Sequence, residues 1–383
     1  MSFVFAAMLV SFAVTLLIVR VGLSNPRTQW RLLRSRRAAW VRHPEWSGIG
    51  RAGGVGIAAG LAASLALRWF DAAAAAPAAA IFGFTLLASA MPVFLVGLAE
   101  DFTHRINARV RLLAAALSAV LAGWLLQAWV GRMDMTWLDV WIAIPIVSVV
   151  FTCFAVAGLT NAFNIIDGFN GLAGGVAFLV LLGIAYVAFK VGDVPVMAAA
   201  LTAAGAIAGF MLLNFPRGLI YLGDGGAYLV GFWIAELLVL LVMRNASVSA
   251  WLPLLLCSYP IFETLFSIYR RVVFKRINPG VPDVAHLHHL IYKRLVRWLV
   301  GTNLSSHRTQ RNALTSPYLW LITSVGVVPA IIFWQNRTML ILGCLCFAVA
   351  YIYGYGRIVR FRAPGWWVLR HPSSRNKGDP GRR

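Results

Sequence analysis

Four groups of polar residues interrupt the long apolar stretches of this 383-residue chain, and their residue types suit phosphate and cation chemistry. Glu100 and Asp101 follow the apolar run at 78–98 and precede Arg105, Arg109 and Arg111. Adjacent acids point to different helix faces, so together they can hold one cation or set a base beside it. The same pattern also suits a solvated loop end. In the stretch Asn161 to Gly175, the residues Asn161, Asn164 and Asp167 recur every third position, a drifting polar stripe on a helix. Polar groups at membrane depth are costly without water, partners or ligand. A capping turn would use Asp167 and leave two amides unexplained. The third group, Asn214-Phe215-Pro216-Arg217-Gly218, leads into Gly223-Asp224-Gly225-Gly226 at the start of another apolar run. Free N–H groups at such a start attract phosphate, which Asp224 would repel unless Mg²⁺ bridged the two. An interfacial turn with Asp224 as N-cap is the alternative. The fourth group, His286-Leu287-His288-His289, sits among Arg270, Arg271, Lys275, Arg276, Lys293 and Arg294. With Asp283 the sole other ligand type nearby, imidazoles among arginines suit diphosphate binding or proton transfer better than zinc. Glu236 and Glu263 lie inside apolar runs, as polar contacts or as part of a proton path, and receive no role.

The elements that must position these residues follow from composition. With 60% hydrophobic and 12% charged residues, the chain belongs in lipid. A hydrocarbon core about 30 Å thick needs roughly 20 apolar helical residues to cross it. Such runs fall near 2–22, 53–69, 78–98, 112–130, 138–158, 171–189, 195–213, 225–243, 250–269, 316–334 and 339–356. The expected fold is an all-α polytopic transmembrane bundle of about 11 spans, or 10 if the Ala-rich second and third runs are drawn differently. Arg20, Arg27 and Arg31 follow the first run, the wrong polarity for a cleavable signal peptide. The positive-inside rule then puts the N-terminus outside and residues 23–52 in the cytoplasm. With alternating spans the outer side holds Arg68, Arg132, Lys190, Arg244 and Arg337, against 29 of the 34 Lys and Arg inside. All four polar groups share the cytoplasmic face, as does the C-terminus. The net charge of +21 is spread over loops that abut spans, which anionic headgroups favour, so no nucleic-acid partner is expected. Cys153, Cys257, Cys344 and Cys346 fall within spans and suggest neither disulfide nor metal site. Residues 1–356 read as one catalytic domain, the Ala run at 72–80 as packing or a short outer turn, and 357–383 as a loose basic tail.

Arg51-Ala52-Gly53-Gly54, Glu100-Asp101, Asn161 to Leu172, Gly223-Asp224 and the histidine cluster, in this order, resemble the motifs of the polyprenyl-phosphate N-acetylhexosamine-1-phosphate transferase family. The likeness covers roughly residues 1–310. The family includes initiators of O-antigen, enterobacterial common antigen and teichoic acid linkage units, and the phospho-N-acetylmuramoyl-pentapeptide transferases. Glu100 stands where the family usually has an aspartate, and Asn170 replaces a common acid. His-Leu-His-His is more like the hexosamine branch than the muramoyl-pentapeptide branch.

The resemblance implies transfer of a sugar 1-phosphate from a UDP-sugar to polyprenyl phosphate, with release of UMP, at the cytoplasmic face of the bacterial inner membrane. It implies Mg²⁺, replaceable by Mn²⁺, on Asp224, and catalytic roles for Glu100, Asp101 and Asp167. Substrate would be bound by Arg51, Gly53, Gly54, Asn161, Asn164, Asn214, His286, His288 and His289. The bilayer is a partner in every case, and a second copy of the chain is a candidate one. Muramoyl-pentapeptide transfer is the alternative within the family. A proton-coupled transporter or flippase is the rival class, and it would want polar residues near the midplane of several spans.

Overall fold

The computed structural model describes residues 2–24, 50–70, 76–275, 285–296 and 305–360. The arginine run at 27–42, residues 71–75 of the Ala-rich region, Arg276, Asp283 and the tail from 361 lie outside the described residues. Among the described residues the regular elements are helices: α1 (Ser2–Ser24), α2 (Gly53–Trp69), α3 (Ala76–Thr103), α4 (Ala108–Leu126), α5 (Thr136–Ile142), α6 (Pro145–Ile166), α7 (Leu172–Val191), α8 (Val194–Asn214), α9 (Gly223–Arg244), α10 (Leu252–Leu256), α11 (Ser258–Tyr269), α12 (Leu287–Ile291), α13 (Ser305–Ile332) and α14 (Arg337–Val359). Nine of them, α1, α3, α4, α6 to α9, α13 and α14, are long and apolar enough to cross a membrane. The chain is an all-α polytopic membrane protein.

Two predicted runs differ in detail, and a proline stands at each. The run expected at 138–158 is instead α6, which starts at Pro145 after the separate short α5. Proline suits the first turn of a helix, where its missing N–H is not needed. The later start carries α6 through Asn161 and Asn164, which become its last turns. The run at 250–269 breaks at Cys257 into α10 and α11. Pro260, in the first turn of α11, has no N–H to offer the Leu256 carbonyl one turn earlier, which removes one hydrogen bond across the break. Beyond Tyr269 the chain continues as a π-helical segment, Arg270–Lys275.

Almost every residue of α9 from Gly223 to Val242 is buried, so this helix is the axis of the bundle. It packs against α3, α6, α2 and α7, while α1 lies against α2 and α8. Large apolar side chains such as Trp124, Phe154, Leu321 and Val349 point outward, as lipid tails require. Without water to drive helices together, close packing must do so, and small residues allow it. A Cβ on Gly54 would lie 2.4 Å from the Gly226 Cα, so α2 and α9 touch backbone to backbone.

The alternating helices gather the starts of α2, α4, α7 and α9 with the ends of α3, α6, α8 and α11 at one end of the bundle, called here the site end. The far end carries a separate polar knot. Asp134 accepts hydrogen bonds from Arg132, from Ser249 Oγ (3.1 Å) and from the Ala250 N–H (2.6 Å). Arg337 donates to the Asp134 carbonyl at 2.6 Å. Burial opposes the charged form of Asp134, but the Ala250 N–H and Arg132 outweigh it and hold the carboxyl below its ordinary range.

Candidate active site

Glu100 and Asp101 end α3 and diverge. Asp101 turns toward α9, where its Oδ1 accepts the Asp224 N–H at 2.8 Å and its Oδ2 the Gly225 N–H at 2.9 Å. One helix thus caps the next, satisfying two N–H groups that a helix start leaves without partners. Gly223 makes the approach possible with a φ of 78°, and a Cβ there would sit 2.3 Å from the Arg51 carbonyl and 2.6 Å from Asp101 Oδ2. Glu100 turns the other way, its Oε2 accepting the Ile106 N–H at 2.7 Å in the turn before α4.

The glycines of the early loop, expected to bind substrate, stand at a close contact of helices. Gly53 and Gly54 are buried, and their N–H groups donate to the Tyr221 and Leu222 carbonyls at 3.0 and 3.1 Å. A Cβ on Gly53 would strike the Phe210 ring and one on Gly54 the Gly226 backbone, so close packing calls for glycine at both positions. What they position is Arg51, whose charge acts on both Asp101 and Asp167.

Asp224 opens α9 with both oxygens engaged: Oδ2 pairs with Arg111 at 2.8 Å, and Oδ1 accepts from Asn164 Nδ2 at 3.2 Å. The Tyr228 hydroxyl, one turn along α9, donates to Asn164 Oδ1 at 3.4 Å. Arg111 and Tyr228 were not among the expected site residues. Arg111 resembled its topogenic neighbours Arg105 and Arg109, although it alone sits a turn inside α4; nothing in the pattern marked Tyr228. Asn161 lies one turn before Asn164 on α6, half-buried.

Asp167 caps the end of α6. Burial, the facing charge of Asp224 and, more weakly, Asp101 push its carboxyl up to about 8, with Arg51 opposing them. No hydrogen bond offsets this shift. A carboxylate so placed favours a proton or a cation.

The histidine cluster reaches the same loop. A Cβ on Gly168 would come within 3.1 Å of His288 Nε2, so the glycine after Asp167 leaves room for the imidazole. Phe169 meets the rings of His288 and His289 edge-on, both at 5.6 Å between centroids. His286 and His288 stack at 5.1 Å, and His288 and His289 lie 4.5 Å apart. Glu263, left without a role above, holds this group. Its Oε1 lies 2.9 Å from His286 Nδ1 and accepts the Leu287 N–H at 3.0 Å, while its Oε2 accepts the Tyr351 hydroxyl at 2.8 Å. Arg270 and Tyr355 both donate to the Ala285 carbonyl just before the cluster.

Asn214, expected to bind substrate, lies within the protein. At 4% exposure, its Oδ1 accepts the Gly171 N–H at 2.6 Å and its Nδ2 donates to the Ile220 carbonyl at 2.7 Å. It joins the two polar loops. Asn170 is likewise buried, with its backbone N–H and carbonyl held by Asn312 and Ser316 of α13.

The acids suit a divalent cation. The charge of Asp224 disfavours that of Asp167, and Mg²⁺ characteristically takes one or two carboxylates with phosphate oxygens and water. Among the described residues no three His, Cys, Asp or Glu side chains form a metal cage, so substrate oxygens and water would complete such a site.

Membrane helices that bring acids, an arginine and imidazoles together at one end define the class: a polytopic membrane protein with a polar, anion-oriented centre. Residues 54–242 match the model described as Glycosyl transferase family 4. A Bacillus subtilis protein named "probable undecaprenyl-phosphate N-acetylglucosaminyl 1-phosphate transferase" is 34% identical over 150 residues, 39% of this chain and 40% of its own length. The undecaprenyl-phosphate alpha-N-acetylglucosaminyl 1-phosphate transferase of Thermotoga maritima is 28% identical over 54% of this chain and 61% of its own. A phospho-N-acetylmuramoyl-pentapeptide-transferase of Caldanaerobacter subterraneus is also 28% identical, over 54% and 66%. The chain spans about half the length of the curated relatives it matches.

Proposed function

We propose that this protein transfers N-acetylhexosamine 1-phosphate from a UDP-sugar to the phosphate of a membrane polyprenol, releasing UMP, at the cytoplasmic face of a bacterial inner membrane. The observation that carries the reading is the meeting of Asp101, Asp167, Asp224 and the histidines, from four separated segments, at one end of the bundle. A soluble donor and a lipid acceptor can meet only at an interface. The reaction makes a bond between an acceptor phosphate oxygen and the sugar-bearing phosphorus and breaks the bond to UMP, so alignment and charge neutralisation dominate.

In this reading Asp224 would hold Mg²⁺, which when bound would neutralise charge on the donor diphosphate. Arg111 and Asn164 fix the Asp224 carboxylate, and Asp101 fixes the start of α9 that carries it. The histidines and Arg51 bind diphosphate oxygens. Asp167, with its raised carboxyl and no hydrogen-bond donor upon it, is the group best suited to take a proton from the acceptor phosphate.

The family alternative, a muramoyl-pentapeptide donor, is an outcome of the same experiment. The transporter reading drew on Glu236 and Glu263, and Glu263 is occupied in holding the histidine cluster. Purified protein given polyprenyl phosphate, Mg²⁺ and a panel of UDP-sugars should yield a lipid pyrophosphate identifiable by mass. Asp224→Asn should abolish exchange of labelled UMP into UDP-sugar while leaving the protein inserted. Full exchange by that variant would remove the metal role.

A further inference from the structure

The first turns of α13 run beside the site, beyond the segment that matches the family model. One face of this helix grips the loop that follows Asp167: Asn312 Oδ1 accepts the Asn170 N–H at 2.7 Å, Ser316 Oγ donates to the Asn170 carbonyl at 2.6 Å, and Trp320 Nε1 donates to the Gly171 carbonyl at 3.1 Å. Arg311, next to Asn312, is 8% exposed. Its guanidinium lies over the Tyr292 ring at 5.3 Å, and its Nε has no hydrogen-bond partner. The Tyr292 ring packs 5.3 Å from Phe169, the residue whose edge meets His288 and His289. Arg311 is thus the end of a continuous wall of Tyr292, Phe169 and the imidazoles, with no acid paired to it among the described residues.

A guanidinium is charged at every physiological pH and carries five N–H donors in a planar fork. Burying one with a ring for company and an unmet donor is costly unless an anion supplies the missing partner. The fork matches two oxygens of a phosphate, and an aromatic platform beneath it fixes the plane in which they must lie. We infer that Arg311 is a substrate-binding residue that takes phosphate oxygens at the histidine side of the site. This rests on the transferase reading for the identity of its ligand, which is a phosphate of the sugar nucleotide or that of the polyprenol.

Arg311→Met keeps a flexible apolar stem on Tyr292 and removes the charge; Arg311→Lys keeps the charge and loses the fork. In steady-state transfer between UDP-N-acetylglucosamine and undecaprenyl phosphate, Arg311→Met should lose about tenfold or more in kcat/KM at an unchanged melting temperature, and Arg311→Lys should recover part of it. The substrate whose KM rises more identifies the phosphate. Activity within about twofold of wild type for both substrates, or equal losses in both variants, would overturn the assignment. Thermal stabilisation by inorganic pyrophosphate gives a readout independent of turnover. It should be weaker in Arg311→Met, or in Arg311→Lys if the former does not insert, and equal stabilisation overturns the proposal. A wild-type protein that gains stability from pyrophosphate yet makes no lipid product would defeat the transferase reading and leave the anion site standing.

Discussion

Asp101, Asp167 and Asp224 show how three carboxylates of one site come to differ. Asp101 spends both oxygens on the backbone of α9, Asp224 is paired with Arg111, and Asp167 has charge around it without a donor. The consequence for pH has a definite sign. A carboxyl raised from 3.8 to about 8 binds its proton more tightly in the folded protein than in the unfolded one, so its ionisation costs stability as pH rises through that window. Without divalent cation, the melting temperature of the solubilised protein should fall between about pH 5 and pH 8, and Asp167→Asn should flatten the fall. Mg²⁺ should restore stability most at the alkaline end. A wild-type curve no steeper than that of Asp167→Asn would sink this account. The acids themselves could be read in the sequence because carboxylates are rare in apolar chains. The division of labour among them could not, because the N–H groups of Asp224 and Gly225 lie 123 and 124 residues from Asp101.

At the scale of elements, the broken helix α10–α11 matters most. The start of α6 at Pro145 could have been inferred from proline chemistry; the break at Cys257 could not, because Pro92, Pro317 and Pro329 lie inside unbroken helices. The use made of α11 was hidden. Glu263 looked like an isolated acid in an apolar run because its partners, His286 and Tyr351, lie 23 and 88 residues away. Glu263→Ala would leave the Leu287 N–H, His286 Nδ1 and the Tyr351 hydroxyl without their acceptor, and each buried group so stranded costs about 1–3 kcal/mol. The variant should melt earlier and lose about tenfold or more in kcat/KM, with Glu263→Gln recovering stability before activity. Wild-type kinetics in Glu263→Ala would show that the histidine cluster needs no such support.

For the whole molecule, charge patterning and alternating spans foresaw that the polar groups would share one end, and the helices bring them there. Arg111 escaped because in sequence it was one arginine among several that set orientation; its pairing with Asp224 is a property of the packed bundle. The orientation itself has a direct test. With the N-terminus outside, a cysteine replacing Asn336 should react with a membrane-impermeant thiol reagent added to intact cells, and one replacing His104 should react only after the membrane is opened. The opposite pattern would put the site on the wrong face for a cytoplasmic nucleotide.

The latch on the histidine cluster has a bearing on engineering. Its anchor points, Glu263 on α11 and Tyr351 and Tyr355 on α14, all stand beyond residue 242, whereas the three aspartates fall within 54–242. The candidate site is therefore assembled from two halves of the chain that meet at Gly168 and His288. A graft exchanging only the first half with a relative would have to preserve that seam, or the new acids would face imidazoles aligned for a different parent.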